Sequence, residues 1–290
     1  MPVPSDIEAA VAAKIENAEI HADPFPHLVV PDLLPEDFFR RLADSIPPLE
    51  TFEQSQRGIK ADLPLGEENP YFAQAPEDFR LAWRQLRDEV IGATIAPILV
   101  RRLEREIGEK YADLFSPELA ESIMVGGLVG SDGRIMSRKP GYHLKPHTDS
   151  AHFAVTCLVY FTSGEDESSG ALCLFRPERL PELRDVSTYY PERAEGIEAE
   201  LVKEVPIREN LFVAFLNGRS SLHGVRIDPG TGTAASRLTY QAHVLPVVDI
   251  RKDAETFAAG LADPAARSRW ERYAEGRRAR AEEKARSAQV

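Results

Sequence analysis

Hydrophobic residues along the chain fall into short runs that favour β-strands, set between helical and turn-rich stretches. Two runs are almost continuously apolar or β-branched, residues 153–161 and residues 210–217. Runs of this length and composition are typical of strands. The second run is followed by residues 228–232, a turn-forming sequence that contains Pro229. These strands and the turn follow one another in the order expected for a β-barrel.

The N-terminal third predicts mixed α/β structure ahead of that barrel. Residues 27–32 predict a short strand, and a helix begins at Pro35, with proline and acidic residues in its first turn. Residues 51–74 are polar and turn-rich, so we expect a loop near the barrel mouth that carries substrate contacts. Residues 76–110 predict a helical layer packed against one sheet. Its apolar residues at helical spacing are Phe79, Trp83, Leu86, Val90, Ile91, Ile95, Ile98, Leu99 and Leu103.

Two further segments are expected outside the barrel strands. Residues 176–204 contain three prolines and the pair Tyr189-Tyr190, and they predict an insertion that is a candidate lid. Residues 254–287 are rich in Ala, Arg and Glu and predict one or two helices. Those helices either lie on the surface, pair with a second subunit or fray at the chain end.

Three residues have the spacing of a metal site. His147 and Asp149 are separated by one residue, and His223 lies far downstream, after the second strand run. Successive side chains of a strand point to opposite faces, so His147 and Asp149 can reach one metal while Thr148 points away. Two imidazoles and one carboxylate leave positions open on an octahedral iron, where oxygen chemistry takes place. The alternative for His147-Thr148-Asp149 is a surface turn.

Arg237 is a candidate for binding a carboxylate, and it lies 14 positions after His223 (237 − 223 = 14). Its planar guanidinium presents paired donors that match a carboxylate, and it remains charged at any working pH. Thr239 lies on the same strand face and can add a hydroxyl. Because side chains alternate between the two faces of a strand, Gln241 and His243 are expected on this face as well, where they would line a cavity. The alternative for Arg237 is an ordinary exposed strand arginine.

The chain resembles a known family over roughly residues 120 to 246. Four segments carry the resemblance: Gly141–Asp149 (GYHLKPHTD), Gly170–Phe175, Leu211–Val225 (LFVAFLNGRSSLHGV) and Ser236–Val244 (SRLTYQAHV). They resemble the iron(II)- and 2-oxoglutarate-dependent oxygenases and, within that superfamily, the prolyl-4-hydroxylase-like branch. This chain departs from the prolyl-hydroxylase pattern at Arg237, where that pattern often has lysine.

The resemblance implies a mainly β fold with α-helices. Its centre would be a double-stranded β-helix, the jelly-roll or cupin-like architecture. We expect this core at residues 121–250, an N-terminal α/β support region with its helical layer at residues 1–120, and a C-terminal helical extension at residues 251–290.

The resemblance also implies roles for individual residues. Fe(II) is the implied metal, with 2-oxoglutarate and O2 as cosubstrates. Tyr142, just before the motif, is a pocket candidate. The implied iron ligands are His147, Asp149 and His223, and the implied cofactor-binding residues are Arg237, Thr239 and Tyr142.

Composition narrows the set of partners. The formal net charge is −12 over 290 residues, which disfavours nucleic acid or an anionic membrane as the main partner because both would repel the protein. The N-terminus has no apolar signal region and no window reaches the length of a membrane span, so a cytoplasmic location is expected. Cys157 and Cys173 both lie in apolar runs and are interpreted as buried hydrophobes, since a disulfide is unusual in that compartment.

The function expected from these observations is hydroxylation of an unactivated C–H bond with release of succinate and CO2. A small molecule or amino-acid-like compound is the expected substrate, a peptide is possible, and so is a homodimer. Two alternatives stay open: a non-catalytic sensor of 2-oxoglutarate or metal on the same fold, and a cupin-type metal enzyme that does not use 2-oxoglutarate. The sequence leaves the primary substrate and the oxidative outcome undetermined.

Overall fold

The structure is a computed structural model that describes residues 6–55, 59–114, 117–161, 170–182, 188–227 and 237–247. Its helices are α1 (Asp6–Asn17), α2 (Glu36–Ser45), α3 (Pro70–Gln74), α4 (Glu77–Arg84), α5 (Ala96–Arg102), α6 (Glu104–Leu114), α7 (Pro117–Gly126) and α8 (Pro191–Glu195). A π-helical segment, Gln85–Ile95, joins α4 to α5, and a 3-10 turn covers Leu49–Thr51. The predicted C-terminal helices at residues 254–287, and the turn at residues 228–232, lie outside the described residues.

The strands form two antiparallel sheets. They are β1 (His27–Val30), β2 (Glu53–Ser55), β3 (Lys60–Pro64), β4 (Leu128–Gly130), β5 (Arg134–Arg138), β6 (His143–His147), β7 (Val155–Tyr160), β8 (Ala171–Pro177), β9 (Ala199–Pro206), β10 (Phe212–Leu216), β11 (Leu222–Arg226) and β12 (Arg237–Pro246). The eight-stranded sheet has the order β1-β10-β7-β12-β5-β3-β2, with β4 also paired to β12. The four-stranded sheet has the order β6-β11-β8-β9. This is the double-stranded β-helix that was predicted.

Alternation along the central strands separates two cores. In β7, Cys157 and Val159 pack on the helix-facing side of the large sheet, whereas Leu158 and Tyr160 face the small sheet. Side chains of a strand alternate between faces, so one strand contributes to both cores. Thr156 lies on the inward face with Leu158 and Tyr160, and it is fully buried. A polar residue at that position needs hydrogen-bond partners inside the protein.

The helical layer covers the outer face of the large sheet, as predicted. Trp83 is fully buried in the core between the two layers. Its ring centroid lies 5.4 Å from that of Phe161 and 6.1 Å from that of Tyr240, on β12. The indole N–H donates to Ser45 Oγ at 2.8 Å. Trp83 and Phe79, both in the predicted helical layer, are core residues.

The prediction of a loop at residues 51–74 is wrong. This segment contains β2, β3 and α3, and β3 pairs with β5 in the large sheet. Ala61 and Leu63 are buried while Lys60 and Asp62 face the other way. The alternating polar residues give β3 a weak local strand propensity. Its pairing with the distant strand β5 overrides that propensity. Likewise, residues 176–204 do not form only an insertion, because most of β9 lies within them.

Gly224 on β11 allows a close approach between β11 and β6. A Cβ at this position would lie 2.5 Å from the Leu144 carbonyl oxygen and 3.2 Å from Phe175 Cε2. The Leu144 carbonyl belongs to the backbone of β6, so it cannot move away without separating the strands. The pairing of the small sheet therefore requires glycine here.

We expect Gly224→Ala to destabilise the protein by about 1–3 kcal/mol, since an added methyl overpacks a close-packed site. Urea denaturation measures the change. Gly108→Ala is the matched control, because a Cβ there meets nothing within 4 Å in helix α6. Alanine in a helix interior should be neutral or stabilising by about 0.5–1 kcal/mol. Equal stability of Gly224→Ala and wild type would contradict the close approach.

Candidate metal centre

Three side chains meet at the end of the small sheet. One ligand atom from each of His147, Asp149 and His223 lies within 4.8 Å of the other two. The Nε2 atoms of His147 and His223 are each 3.7 Å from Asp149 Oδ1. All three groups are nearly inaccessible, with side-chain exposures of 3%, 11% and 6% for His147, Asp149 and His223. The structure thus brings together the three residues that sequence spacing selected.

Strand pairing places the two histidines opposite each other. His147 is the last residue of β6 and pairs directly with His223 of β11. Asp149 lies beyond the end of β6, but the backbone of Thr148 exchanges two hydrogen bonds with Tyr189, both at 2.9 Å. That bridge prolongs the ladder by one residue. Asp149 therefore returns to the side of His147, although it is not itself in a strand.

Backbone carbonyls set the tautomers of both histidines. His147 Nδ1 lies 2.8 Å from the Lys145 carbonyl oxygen, and His223 Nδ1 lies 3.2 Å from the Ser221 carbonyl oxygen. A carbonyl only accepts, so each Nδ1 carries a proton, and in the neutral imidazole Nε2 is then the nitrogen with the lone pair. Both lone-pair nitrogens lie next to Asp149. This is the arrangement that a metal-binding imidazole requires.

The protonation states also fit a metal. Burial, reinforced by the neighbouring His223, lowers the pKa of His147 to about 4. Burial by itself raises the pKa of Asp149, but His223, His243, His147 and the Thr156 hydroxyl together outweigh it and lower that pKa to about 2. At neutral pH the cluster therefore contains neutral His147 and an ionised carboxylate. These are the forms that bind a divalent cation.

Thr156 orients the carboxylate. Its hydroxyl donates to Asp149 Oδ2 at 2.7 Å and accepts from Asn217 Nδ2 at 2.9 Å. His243 Nδ1 lies 3.2 Å from the same oxygen. A hydroxyl has one proton, and Asp149 takes it, so His243 Nδ1 must donate. The hydroxyl then uses its donor and both lone pairs, which fixes Asp149 Oδ2 and leaves Oδ1 beside the two histidines.

Helix α6 holds the turn between Asp149 and β7. Lys110 Nζ donates to the carbonyls of Ala151 and Phe153, both at 2.6 Å, and Tyr111 donates to the carbonyl of His152 at 2.8 Å. Burial lowers the pKa of Lys110 well below its usual range. Sequence reasoning missed this contact. A lysine inside the buried stripe of α6 was the signal that could have indicated it.

A cavity of about 170 Å³ opens from the metal cluster between the two sheets. Its walls include four residues proposed from sequence, Arg237, Thr239, Gln241 and Tyr142. The walls also include Thr188 and Tyr190 from the segment predicted as a lid, and three residues that sequence reasoning did not select: Lys60, Arg134 and Arg138. Arg134 and Arg138 lie on one face of β5, and this alternation is visible in the sequence. Their position beside the cavity, however, depends on the pairing of β5 with β3 and β12.

Arg237 is a buried cation with an unused donor. It is 6% exposed, and its Cζ lies 5.0 Å from the ring centroid of Tyr160. Among the described residues its Nη1 has no hydrogen-bond partner. Burial lowers the pKa of Arg237 from its usual value. A buried guanidinium of this kind is stabilised by an anionic ligand, and a carboxylate matches its geometry.

Other polar residues near the motif do not belong to the metal cluster. His143 is exposed at the start of β6, and His152 is buried with Nδ1 2.9 Å from Ser150 Oγ. Lys145 pairs with Glu192, and Arg226 pairs with Glu204. His243 does not line the cavity, in contrast to expectation, and its ring stacks on Phe153 with a centroid distance of 3.7 Å. Its contacts with the site are the hydrogen bond to Thr156 and an electrostatic interaction with Asp149.

The segment predicted as a lid reaches the cavity. Tyr190, just before helix α8, lines the cavity, and its ring centroid lies 5.5 Å from that of His147. Thr188 lines it as well. The backbone bridge from Tyr189 to Thr148 ties this segment to the metal cluster.

The remaining expectations concern the cysteines and the membrane. Cys157 and Cys173 are free and buried on different sheets, and burial raises the pKa of Cys157 to about 12. No helix among the described residues is long and apolar enough to cross a membrane.

No protein-family model matches the chain, and no curated protein matches it. Solved structures that match include HygX from Streptomyces hygroscopicus with nickel and 2-oxoglutarate bound (15% identity, 77% of this chain and 83% of that chain, TM-score 0.45). A prolyl 4-hydroxylase structure from Phytophthora capsici matches at 14% identity, covering 93% of this chain and 79% of that chain, with a TM-score of 0.48. The epimerase SnoN in complex with Fe3+, alpha ketoglutarate and nogalamycin RO matches at 15% identity, covering 82% of this chain and 83% of that chain, with a TM-score of 0.46. At such identities and TM-scores these likenesses assign no activity to this chain.

We expect Thr156→Val to weaken metal binding by about tenfold or more, because outer-shell partners of a ligand typically contribute that much. Valine keeps the volume but removes the donor to Asp149. The measurement is titration of the metal-free protein with Mn(II) under anaerobic conditions. Thr156→Ser, which keeps the hydroxyl, is the matched control and should bind nearly as wild type does. Equal affinity of the valine variant would show that Thr156 does not position Asp149.

The metal-free protein should lose stability on acidification. The pKa values of His147 and His243 are both lowered by burial to about 4, so the unfolded chain takes up protons near pH 6.5 while the folded chain does not. Stability is therefore fully present above pH 6.5 and falls as the pH drops towards 4, by on the order of 1 kcal/mol per pH unit for each histidine.

Urea denaturation in the presence of a chelator at pH 7.5, 6 and 5 measures this slope. His147→Gln serves as the comparison, because it removes one of the two titrating groups and should flatten the dependence. A wild-type stability that does not change between pH 7.5 and 5 would contradict the neutral, buried state of these histidines.

Proposed function

We propose that this protein is an Fe(II)- and 2-oxoglutarate-dependent oxygenase that hydroxylates an unactivated C–H bond of a small molecule. One observation carries the proposal: a His-Asp-His cluster and a buried arginine with an unused donor share one cavity. The cluster has the ligand types of a facial triad, which leaves coordination positions open. The arginine has the chemistry to hold the far carboxylate of a dicarboxylate cosubstrate.

His147, Asp149 and His223 would hold the iron. Their Nε2 and carboxylate atoms lie together, and the lone pairs are directed by hydrogen bonds from Nδ1 to carbonyls. Iron bound with 2-oxoglutarate supplies the activation of dioxygen that oxidises the substrate, with succinate and CO2 as coproducts. Asp149 contributes one negative charge, so the ligand set compensates half of the charge of a divalent ion and favours a second anionic ligand.

Arg237 would orient the cosubstrate. Among the described residues its buried Nη1 has no hydrogen-bond partner, so a carboxylate there gains charge-assisted hydrogen bonds and relieves the desolvation of the guanidinium. Thr239 lies one pleat further along β12, buried on the same face. Its hydroxyl is placed to contact the same ligand. Tyr160 covers the guanidinium from β7 and excludes water from it.

The side of the cavity lined by Tyr142 and Tyr190 would hold the primary substrate. Tyr142 and Tyr190 approach the metal cluster from two loops, so both can contact a bound molecule and exclude water from the reacting centre. A cavity of this size, about 170 Å³, suits a small molecule or a single side chain of a peptide.

Arg237→Ala should weaken 2-oxoglutarate binding by about 10- to 150-fold, which corresponds to about 1.5–3 kcal/mol for lost charge-assisted hydrogen bonds. Iron binding should survive because the three ligands are untouched. Lysine should restore only part of the affinity, since it offers a point charge in place of a planar fork. Anaerobic titration of the Fe(II)-loaded protein with 2-oxoglutarate, followed by its charge-transfer absorbance, gives the dissociation constants.

Arg226→Ala is the matched control, because Arg226 lies on β11 but pairs with Glu204 and does not line the cavity. It should bind 2-oxoglutarate as wild type does. If Arg237→Ala binds 2-oxoglutarate as tightly as wild type, Arg237 is not the anchor. If the wild-type protein shows no 2-oxoglutarate-dependent absorbance, the proposed function fails.

A further inference from the structure

The segment that follows Asp149 is neither helix nor strand, yet every backbone carbonyl in residues 150–154 accepts a hydrogen bond. The Ser150 carbonyl accepts from the Phe153 N–H at 3.0 Å, and the Ala154 carbonyl accepts from the Asn217 N–H at 2.8 Å. The carbonyls of residues 151–153 accept from side chains of helix α6 instead. Buried backbone groups need such partners. Most of those for this segment come from the helical layer.

Two consecutive residues of α6 supply these bonds. Lys110 Nζ donates to the carbonyls of Ala151 and Phe153, both at 2.6 Å. The Tyr111 hydroxyl donates to the carbonyl of His152 at 2.8 Å. Lys110 and Ala151 are 41 positions apart in the sequence, so the contact is a tertiary one. Adjacent side chains of one helix therefore hold three consecutive carbonyls.

Lys110 is a costly residue at this position. It is 8% exposed, and burial lowers its pKa well below the usual range. Among the described residues it has no acidic partner, and its Nζ lies 4.0 Å from the ring centroid of Tyr111. A cation buried without a carboxylate destabilises a protein unless hydrogen bonds compensate it. An apolar residue would fill this position without that cost, so the lysine contributes the order of the segment that it holds.

The segment held by α6 connects two groups of the metal centre. It begins after Asp149 and ends before Thr156, whose hydroxyl donates to Asp149 Oδ2 at 2.7 Å. Residues 149–156 thus form a loop that is closed by this hydrogen bond and fixed to α6 at its middle. A ligand group that is ordered in advance loses less conformational entropy when it binds. Fixing this loop therefore favours metal binding by the carboxylate.

We propose that Lys110, together with Tyr111, is a positioning residue of the metal centre. The two side chains hold the backbone after Asp149, so that its carboxylate is preorganised for a divalent cation. The inference rests on the proposed function, because it takes His147, Asp149 and His223 to be the metal ligands. Lys110 acts through the backbone of the loop. Its effect on the metal therefore requires the Asp149 carboxylate.

The test measures Ni(II) affinity by calorimetric titration of the metal-free protein. Lys110→Met keeps an apolar stem of similar length and removes the donor. We expect it to weaken Ni(II) binding by about tenfold, the scale found for outer-shell partners of a metal ligand. Ile107→Val is the matched control, because Ile107 is fully buried on α6 in the helix-facing core. This change loosens the packing of α6 but keeps the three hydrogen bonds, so Ni(II) should bind as it does to wild type.

A double-mutant cycle separates positioning from a merely structural role. In an Asp149→Ala background we expect His147 and His223 to bind Ni(II) more weakly. Adding Lys110→Met there should leave the remaining affinity unchanged, because the carboxylate that Lys110 positions is gone. An equal loss in both backgrounds would show that Lys110 only stabilises the fold, and it would overturn the inference. A Lys110→Met variant that binds Ni(II) as tightly as wild type would overturn it as well.

A second variant decides the question if Lys110→Met does not fold. Tyr111→Phe keeps the ring and removes the hydroxyl that donates to the His152 carbonyl. We expect about threefold weaker Ni(II) binding for this one lost hydrogen bond, again only where Asp149 is present. Unchanged affinity in Tyr111→Phe would then overturn the inference.

The same titrations separate this inference from the proposed function. If wild type binds Ni(II) and Asp149→Ala weakens that binding, but the α6 variants do not, the positioning role alone is refuted. If wild type does not bind Ni(II), or Asp149→Ala binds it as tightly as wild type, the metal centre fails. The proposed function and the inference then fail together.

Discussion

The pairing of β6 with β11 is the constraint on which the site depends. It places His147 directly opposite His223, and the bridge from Thr148 to Tyr189 returns Asp149 to the same side. The close approach of the two strands requires glycine at position 224. The three groups therefore meet at the end of the small sheet, with Asp149 placed by the bridge between Thr148 and Tyr189.

The environment of the site carries a cost in stability that a bound ligand offsets. The buried His147 imidazole is kept neutral, the Asp149 carboxylate is kept ionised, and among the described residues Arg237 Nη1 has no hydrogen-bond partner. Buried polar groups without partners are destabilising. The face of the large sheet adds Lys60, Arg134 and Arg138, which share the carboxylate of Asp62. A cavity of this kind is organised for anions and for a metal before either binds.

Sequence patterns predicted the strands, the helical layer and the spacing of the cluster, because each depends on residues close together in the chain. They did not predict β3, since residues 51–74 are polar and the strand is stabilised by pairing with β5 far along the chain. Lys60 was missed for that reason. Thr156 lay inside a correctly predicted strand, yet its role depends on Asn217, which is distant in sequence. Cross-strand partners are not encoded in the local pattern.

The central claim is that this cavity uses iron and 2-oxoglutarate together for catalysis. The most direct measurement is succinate formation from 2-oxoglutarate in air by the Fe(II)-loaded protein, compared with Asp149→Ala. We expect succinate formation that requires both Fe(II) and 2-oxoglutarate and that is lost in Asp149→Ala, with the fold retained. Iron-loaded wild-type protein that forms no succinate, or an Asp149→Ala variant that forms as much as wild type, would contradict it.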